Sequence, residues 1–407
     1  MSQMKIISFA SEAELCYNVC MAATLKLQLF IRENPDWETE LSAAPYWIKI
    51  KRDDGYILFC YDQTVSDFSN PIVQECRGLI LRESDFEAVC VPFFKFFNAG
   101  EPNAHQIDWD SAVVQEKLDG SLVKVWHGGG KWRVSTNKTI DAYKATLDRT
   151  PAETHGFYSF GELFRAALDG ACPAVCGKKT KNTPLQGSKN SQSWDAYFEG
   201  FDKNCTYMFE LTSKFNKVIV PYNATGIWHI GTRNNRTLQE FTTNSGFAKP
   251  KTYPLKTLDD CLSAAAALPW NEEGYVVVDK HFNRVKIKSA EYVRVHRLGN
   301  NGVITLNRII DMLRLNEQDE FLSYYPDYAD AVGAVKAKIA DAIATLQSQI
   351  DVLARQTFDD QKHFALTVKE LPNSAFYFQW HKNRSLTPKD WLWQQSNDKI
   401  AGVTPDP

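Results

Sequence analysis

The sequence predicts an α+β chain with two domains. Residues 1–295 form a domain built on antiparallel sheet, and residues 296–407 form an all-helical one. Short apolar runs punctuated by Asp-Gly and Gly-rich turns recur from Tyr46 to Lys288, the pattern of paired strands. After about Glu291 the apolar residues change to helical spacing and keep it. At 407 residues the chain is also long for a single domain.

Each element follows from its local pattern. Residues 12–33 place Leu15, Val19, Ala22, Leu25 and Leu29 at helical spacing. Tyr46–Lys51 and Tyr56–Cys60 flank Asp54-Gly55, a hairpin signature. Arg77–Leu81 and Ala88–Pro92 read as two further strands. The apolar run Ala112–Val114 leads into Glu116-Lys117-Leu118-Asp119-Gly120-Ser121, and Leu122–Trp126 leaves it, which reads as strand, tight turn, strand with Gly120 in the turn. Lys131–Thr136 follows a Gly128-Gly129-Gly130 turn. Residues 141–168 read as helical with a break near Pro151. Residues 169–205, rich in Gly, Lys, Asn, Ser and Gln, read as an exposed loop or insertion. Strands return at Tyr207–Leu211, Lys217–Pro221, Ile227–Gly231, Gly274–Val278 and Arg284–Lys288. Val332, Val335, Ile339, Ala342, Leu346, Ile350 and Leu353 share one face of a long helix. Thr387-Pro388-Lys389-Asp390 starts another, with Thr as N-cap and Pro in the first turn.

Bulk composition narrows the function classes. The formal charge of −3 provides no global basic field, so nucleic acid would have to be met by local patches. Nine cysteines in no tight framework suit a reducing compartment, and the expected location is cytoplasmic. Cys16/Cys20 and Cys172/Cys176 lack the further ligands of a zinc site, which favours plain helix-face or loop cysteines. Neither a signal peptide pattern nor an 18-residue apolar run is present. Gly170 and Gly177-Lys178 superficially suggest a phosphate-binding loop, but six residues separate the glycines where four are needed and Lys179 replaces the Ser or Thr.

Four short motifs stand in one order. Lys117-Leu118-Asp119-Gly120 places a lysine at a strand end, where partial desolvation makes it a candidate nucleophile. Phe209-Glu210 ends an apolar strand. Glu273-Gly274-Tyr275-Val276-Val277 is a strand with an acid at its entry. Lys286-Ile287-Lys288 puts two ammonium groups on one strand face. This set suits attack by an amine on a nucleotide α-phosphate. Mg²⁺ (or Mn²⁺) and Lys286 and Lys288 offset the phosphate charge, while Asp119, Glu210 and Glu273 can hold the hydrated ion or the ribose hydroxyls.

The pattern resembles the covalent nucleotidyltransferases, the ATP-dependent ligases and mRNA capping enzymes, whose motifs I, III, IV and V it matches. Ile230-Gly231-Thr232-Arg233-Asn234 resembles their motif IIIa. Glu75-Cys76-Arg77-Gly78, Lys95-Phe96-Phe97-Asn98 and Ser135-Thr136-Asn137-Lys138 make it similar to the bacteriophage T4 RNA ligase 1 family over about residues 45–295. Asn137 departs from the simpler Thr-Lys-Gly-like form expected there. The resemblance implies a nucleotidyltransferase (adenylyltransferase) domain in which Lys117 takes AMP from ATP. Arg77 and Lys138 would meet the β/γ-phosphates, Lys95 would lie near the phosphates and Phe97 near the adenine, with Gly120, Glu210, Gly274, Lys286 and Lys288 also at the nucleotide. Lys117, Glu210, Glu273, Lys286 and Lys288 would carry the catalysis. The partner implied is RNA with 5′-phosphate and 3′-hydroxyl ends, cleaved tRNA among them, served by a separate end-healing kinase/phosphatase; a phage origin would place it in the host cytoplasm.

A helical rather than strand-rich tail favours an RNA ligase over a DNA ligase or capping guanylyltransferase, which carry an OB domain there. Tyr377, Phe378, Trp380, Trp391 and Trp393, interleaved with Lys382, Arg384 and Lys389, offer either an RNA-stacking surface or a helical core. A non-catalytic nucleotide- or RNA-binding protein with a ligase fold is the third reading.

Overall fold

The computed structural model describes residues 23–63, 65–147, 156–171, 193–216, 219–220, 222–298 and 304–403. Packing divides the chain into two compact units, Met1–Asp62 with Ser66–Tyr292 and Gln63–Val65 with Val293–Pro407. Together they combine mainly antiparallel sheets with many helices.

The first unit contains three sheets among its described residues. The first has the order β1-β2-β3-β4, from Ile48–Asp53, Tyr56–Tyr61, Arg77–Arg82 and Ala88–Cys90. Its first turn is Asp54-Gly55, with φ of 50° and 77°, so both residues take the left-handed conformation that a two-residue hairpin demands. The next strands in the chain are β5 (Phe97–Asn98), β6 (Val113–Glu116), β7 (Ser121–Gly128), β8 (Lys131–Thr136), β9 (Cys205–Thr212), β10 (Gly226–Asn234), β11 (Glu240–Phe241), β12 (Thr252–Tyr253), β13 (Gly274–Val278) and β14 (Arg284–Lys288). They make two five-stranded sheets, β11-β10-β9-β7-β8 and β12-β6-β13-β14-β5.

One expectation changes here. The strands before and after Lys117 are not a hairpin: β6 belongs to one five-stranded sheet and β7 to the other. Residues 117–120 carry the chain across from sheet to sheet. Two others change as well. Between Asp141 and Leu168 the described residues hold a 3-10 turn, Ala142–Lys144, a Thr146–Ser159 bridge and the start of a helix, Phe160–Ala171, in place of one broken helix; residues 148–155 lie outside the described residues. Ile219 and Val220 are not in a strand, and Lys217, Val218 and Pro221 lie outside the described residues, as do 12–22, both cysteine pairs and 172–192.

Alternation explains the cores. On β7, Val123 and Val125 point into a cluster with Trp132, Phe164, Phe198 and Phe209. On β2 and β3, Ile57, Phe59, Leu79 and Leu81 face helix Lys26–Glu33 through Leu27 and Ile31. A buried charge cluster links the two five-stranded sheets. Glu240 on β11 pairs with Arg233 on β10 and, at 2.7 Å, with Arg284 on β14. Arg233 also donates to the Pro92 carbonyl at 2.7 Å and stacks on Phe94.

In the second unit the described elements are helices. Helix Ala329–Ala354 buries Val332, Ile339, Leu346, Ile350 and Leu353. Thr387 caps helix Pro388–Trp393, its side chain accepting from the Asp390 N–H. Tyr377, Trp380 and Trp391 are buried. They serve a helical core, so the five aromatics do not form one stacking surface. Among the described residues no helix is long and apolar enough to cross a membrane.

The Glu240 cluster predicts a stability effect. Glu240→Ala leaves two buried guanidinium groups unpaired and is expected to cost about 3–5 kcal/mol. Urea unfolding measures this; a cost within experimental error would show that the cluster does not hold the sheets.

Candidate active site

Lys117 is placed by backbone bonds on both sides. Its N–H donates to the Gly274 carbonyl at 2.8 Å, at the start of β13, which pairs with β6. Its Nζ reaches Glu273 Oε1 at 2.7 Å, so the acid before β13 and the lysine after β6 meet because the two strands lie side by side. Asp119, two residues on, is buried. Its Oδ2 accepts from the N–H groups of Ile219 (2.8 Å) and Val220 (2.6 Å), and its Oδ1 from the Tyr292 hydroxyl (3.0 Å). Its own N–H donates to the Tyr222 hydroxyl at 3.0 Å. Gly120 needs no positive φ. It is required because a Cβ would strike the Leu211 carbonyl and lie 3.1 Å from Glu210 Cγ.

A cleft of about 710 Å³ opens between the two five-stranded sheets of this unit. Lys117, Gly120, Glu210, Arg77 and Lys138 line it. Its apolar wall comes from Phe93, Phe96, Leu122, Ile230 and Val276. Phe93, Leu122 and Met208 form one buried cluster with Phe96 and Ile230 against it. Arg77 lies over the Phe96 ring at 5.2 Å, and Arg284 over Phe93 at 3.9 Å.

Glu210 is opposite Leu122 across the β7–β9 ladder. Burial, with repulsion from Glu273 and Asp119, pushes its carboxyl up to about 7 although Lys117 and Arg77 pull it down. A second group of cations adjoins. Lys95 Nζ sits over the rings of Phe68 (4.5 Å), Tyr61 (5.4 Å) and Phe97 (5.8 Å). Burial pulls its pKa down to about 7, and Lys286, Arg77 and Lys288 add repulsion. Lys286 and Lys288 share a face of β14, as alternation requires, with their register partners Val276 and Gly274.

Two of the expected residues, Phe97 and Asp119, lie outside the cleft lining. Phe97 does not line the cleft: it is buried with Phe68 in the core of the first sheet, while Phe93 and Phe96 present their rings instead. Asp119 is buried, and its carboxylate already accepts three hydrogen bonds from the protein, two at Oδ2 and one at Oδ1. Among the described residues no group of three or more His, Cys, Asp or Glu side chains is arranged to hold a metal ion, so Asp119, Glu210 and Glu273 do not form a direct cage. Lys95, Glu273, Gly274, Lys286 and Lys288 lie outside the cleft lining itself. Lys51, Phe93, Phe96 and Arg284 line it as well; the sequence signal for the two rings is the aromatic run Phe93-Phe94-Lys95-Phe96-Phe97.

A family model described as RNA ligase, of the T4 RNA ligase 1 type, matches residues 75–292, just over half of the chain. The chain belongs to the RNA ligase family. A protein of the Autographa californica nuclear polyhedrosis virus, whose name pairs a polynucleotide kinase with an RNA ligase, is 27% identical over 83% of this chain and 47% of its own length. The chain thus spans about half of that relative. An RNA ligase of Rhodothermus phage RM378 is 23% identical over 74% of this chain and 80% of its own. Among solved structures, an archaeal ATP-dependent RNA ligase gives a TM-score of 0.42 and 12% identity, covering 78% of this chain and 83% of that one. The matched residues of the family run from Glu75 to Tyr292, and so include Lys117, Glu210, Glu273, Lys286 and Lys288.

The raised Glu210 carboxyl predicts a pH effect in this family member. Its folded pKa lies above its ordinary value of 4.5, so the folded state binds more protons between about 4.5 and about 7. Stability therefore falls as pH rises through that window. Glu210→Gln removes that slope and is expected to stabilise the protein at pH 8 by up to about 3 kcal/mol, with no gain at pH 4.5. Melting curves of both proteins at the two pH values check this; a gain independent of pH would assign the effect to packing.

Proposed function

We propose that the chain is an ATP-dependent RNA ligase that joins RNA 5′-phosphate and 3′-hydroxyl ends through a lysyl-AMP intermediate. The observation that carries this reading is Lys117: an amine held by the sheet-to-sheet crossing, paired with Glu273, in one cleft with Arg77, Lys138 and Glu210.

In the first step Glu273, at 2.7 Å, is the carboxylate placed to take the proton of Lys117. The Lys117 nitrogen then forms a bond to the α-phosphorus of ATP while the bond to the bridging oxygen breaks, and pyrophosphate leaves. Arg77 and Lys138 meet the charge growing on that leaving group, and Lys95, Lys286 and Lys288 strengthen the field around the phosphates. The base lies against Phe93, Phe96, Ile230 and Val276, apolar surface that favours a planar ring. In the second step an oxygen of the RNA 5′-phosphate attacks the same phosphorus, and the P–N bond to Lys117 breaks. In the third, the RNA 3′-hydroxyl attacks the 5′-phosphate, a phosphodiester forms and AMP departs.

A divalent cation belongs to this reading, magnesium with manganese as the alternative. When bound it would shield phosphate charge. Of the three acids, Glu210 is the one that makes no hydrogen bond or ion pair among the described residues, and it would hold the ion. Residues 1–295 supply the adenylyltransferase domain in this reading, and residues 296–407 an RNA-specificity module. The viral relative's name, with its kinase part, favours substrates whose ends have been healed, cleaved tRNA included.

The test is intact mass after incubation with ATP and Mg²⁺. The parent is expected to gain one AMP and Lys117→Ala none. Arg77→Ala and Lys138→Ala are expected to slow the gain by about 10²-fold. A GTP adduct in place of an ATP adduct would assign capping chemistry, and sealing of DNA but not RNA ends a DNA ligase. No adduct with either nucleotide, on protein checked to be free of AMP beforehand, would leave a non-catalytic binder.

A further inference from the structure

The phosphate end of the cleft rests on a buried lysine that takes no part in the chemistry above. Lys124 points inward from β7 and is fully buried. An ammonium group is costly there, and burial lowers its pKa. A methionine would fill much the same space without that cost, so packing alone does not call for a lysine. Its Nζ donates a hydrogen bond to the Gly78 carbonyl.

Gly78 follows Arg77 on β3 and has φ +79°. A Cβ at this position would lie 2.5 Å from Lys124 Nζ and 2.8 Å from both Cα and O of Asn137. The Lys124 amine and the Asn137 backbone therefore both crowd Gly78, where a glycine leaves room for them. Arg77 is attached to one side of this stack and Lys138 to the other, and both line the cleft. They come from different sheets: β3 is in the four-stranded sheet, whereas Lys138 follows β8 of a five-stranded one. The turn holding Lys138 is closed on itself by Thr136 N–H donating to the Thr139 carbonyl at 3.0 Å, and Lys51 Nζ donates to the Lys138 carbonyl at 2.9 Å. With the turn internally rigid, its placement relative to Arg77 is set by the Lys51 bond at one end and by the meeting of Asn137 with Gly78 and Lys124 at the other.

We propose that Lys124 is a positioning residue for the first step of ligation: through the Gly78 carbonyl it registers the Arg77 strand against the Asn137–Lys138 turn, so that both cations meet the leaving pyrophosphate. This rests on the lysyl-AMP reading above. Pyrophosphate is absent from the last step, so the effect belongs to adenylylation alone.

The full chain is compared with Lys124→Met and with Lys124→Gln, whose amide keeps a donor. Thermal melting, KM for ATP and kcat in Lys117 adenylylation, and sealing of pre-adenylylated RNA are measured. Lys124→Met is expected to melt cooperatively, to raise KM for ATP about tenfold, the size of one lost charged hydrogen bond, and to seal pre-adenylylated RNA as the parent does. Lys124→Gln is expected to recover part of the loss. Unchanged KM for ATP, equal losses in adenylylation and sealing, or loss of cooperative melting in both variants would overturn the proposal, since Lys124 would then serve only the core. If the parent takes up no AMP, the ligase reading itself fails. A parent adduct beside indifferent Lys124 variants refutes this proposal alone.

Discussion

The buried carboxylate of Asp119 accepts two backbone N–H bonds and one tyrosine hydroxyl in the middle of the segment that leads from β6 in one five-stranded sheet to β7 in the other. Four residues must make that crossing, and a free loop of this length would let Lys117 wander. With the carboxylate fixed at 119 and the Lys117 N–H bonded to Gly274, the lysine is held from both ends. Bonds to an ionised carboxylate are stronger than neutral ones, which suits a short segment carrying a reactive group. Asp119 thus gives the site rigidity.

That rigidity has to resist the site's own electrostatics. Burial, with repulsion from Lys286, Arg77 and Lys288, pulls Lys95 down to about 7. Glu210 is displaced in the opposite sense, up to about 7, by burial and neighbouring acids. A protein with a formal charge of −3 overall has therefore concentrated like charges locally. Such an arrangement is unfavourable empty and becomes favourable when a polyanion enters, because the scaffold has already met the cost of bringing the charges together. The aromatic rings of Tyr61, Phe68, Phe96 and Phe97 ease that cost by offering their faces to Lys95 and Arg77.

Charged side chains also do structural work away from the cleft floor. Arg233, Glu240 and Arg284 join strands of both five-stranded sheets, and Arg284 reaches the cleft by stacking on Phe93. Lys124 joins the four-stranded sheet to β7. In each case a long polar side chain spans a gap between sheets that no backbone ladder crosses.

The sequence alone determined everything whose cause is local. The Asp54-Gly55 hairpin, the strands around Lys117, the paired lysines of β14, the face of helix Ala329–Ala354 and the Thr387 cap all follow from turn chemistry and periodicity within a few residues. The ordered motifs, read by resemblance, were enough to select Lys117, Arg77, Lys138, Glu210 and Gly120, which do share one cleft. Tertiary structure alone decided what depends on contacts distant in sequence. Strand-turn-strand around Lys117 is the same local pattern whether the two strands pair or part into separate sheets, and only the partners of β6 and β7 distinguish these. In Phe93–Phe97 all but one residue is aromatic, so no apolar alternation shows which rings face the cleft. That Ile219, Val220 and Tyr292, one hundred or more positions away, donate to the Asp119 carboxylate is invisible in the sequence. A lysine in the middle of an apolar strand carries no mark of its purpose until the carbonyl it reaches, forty-six residues earlier in the chain, is known.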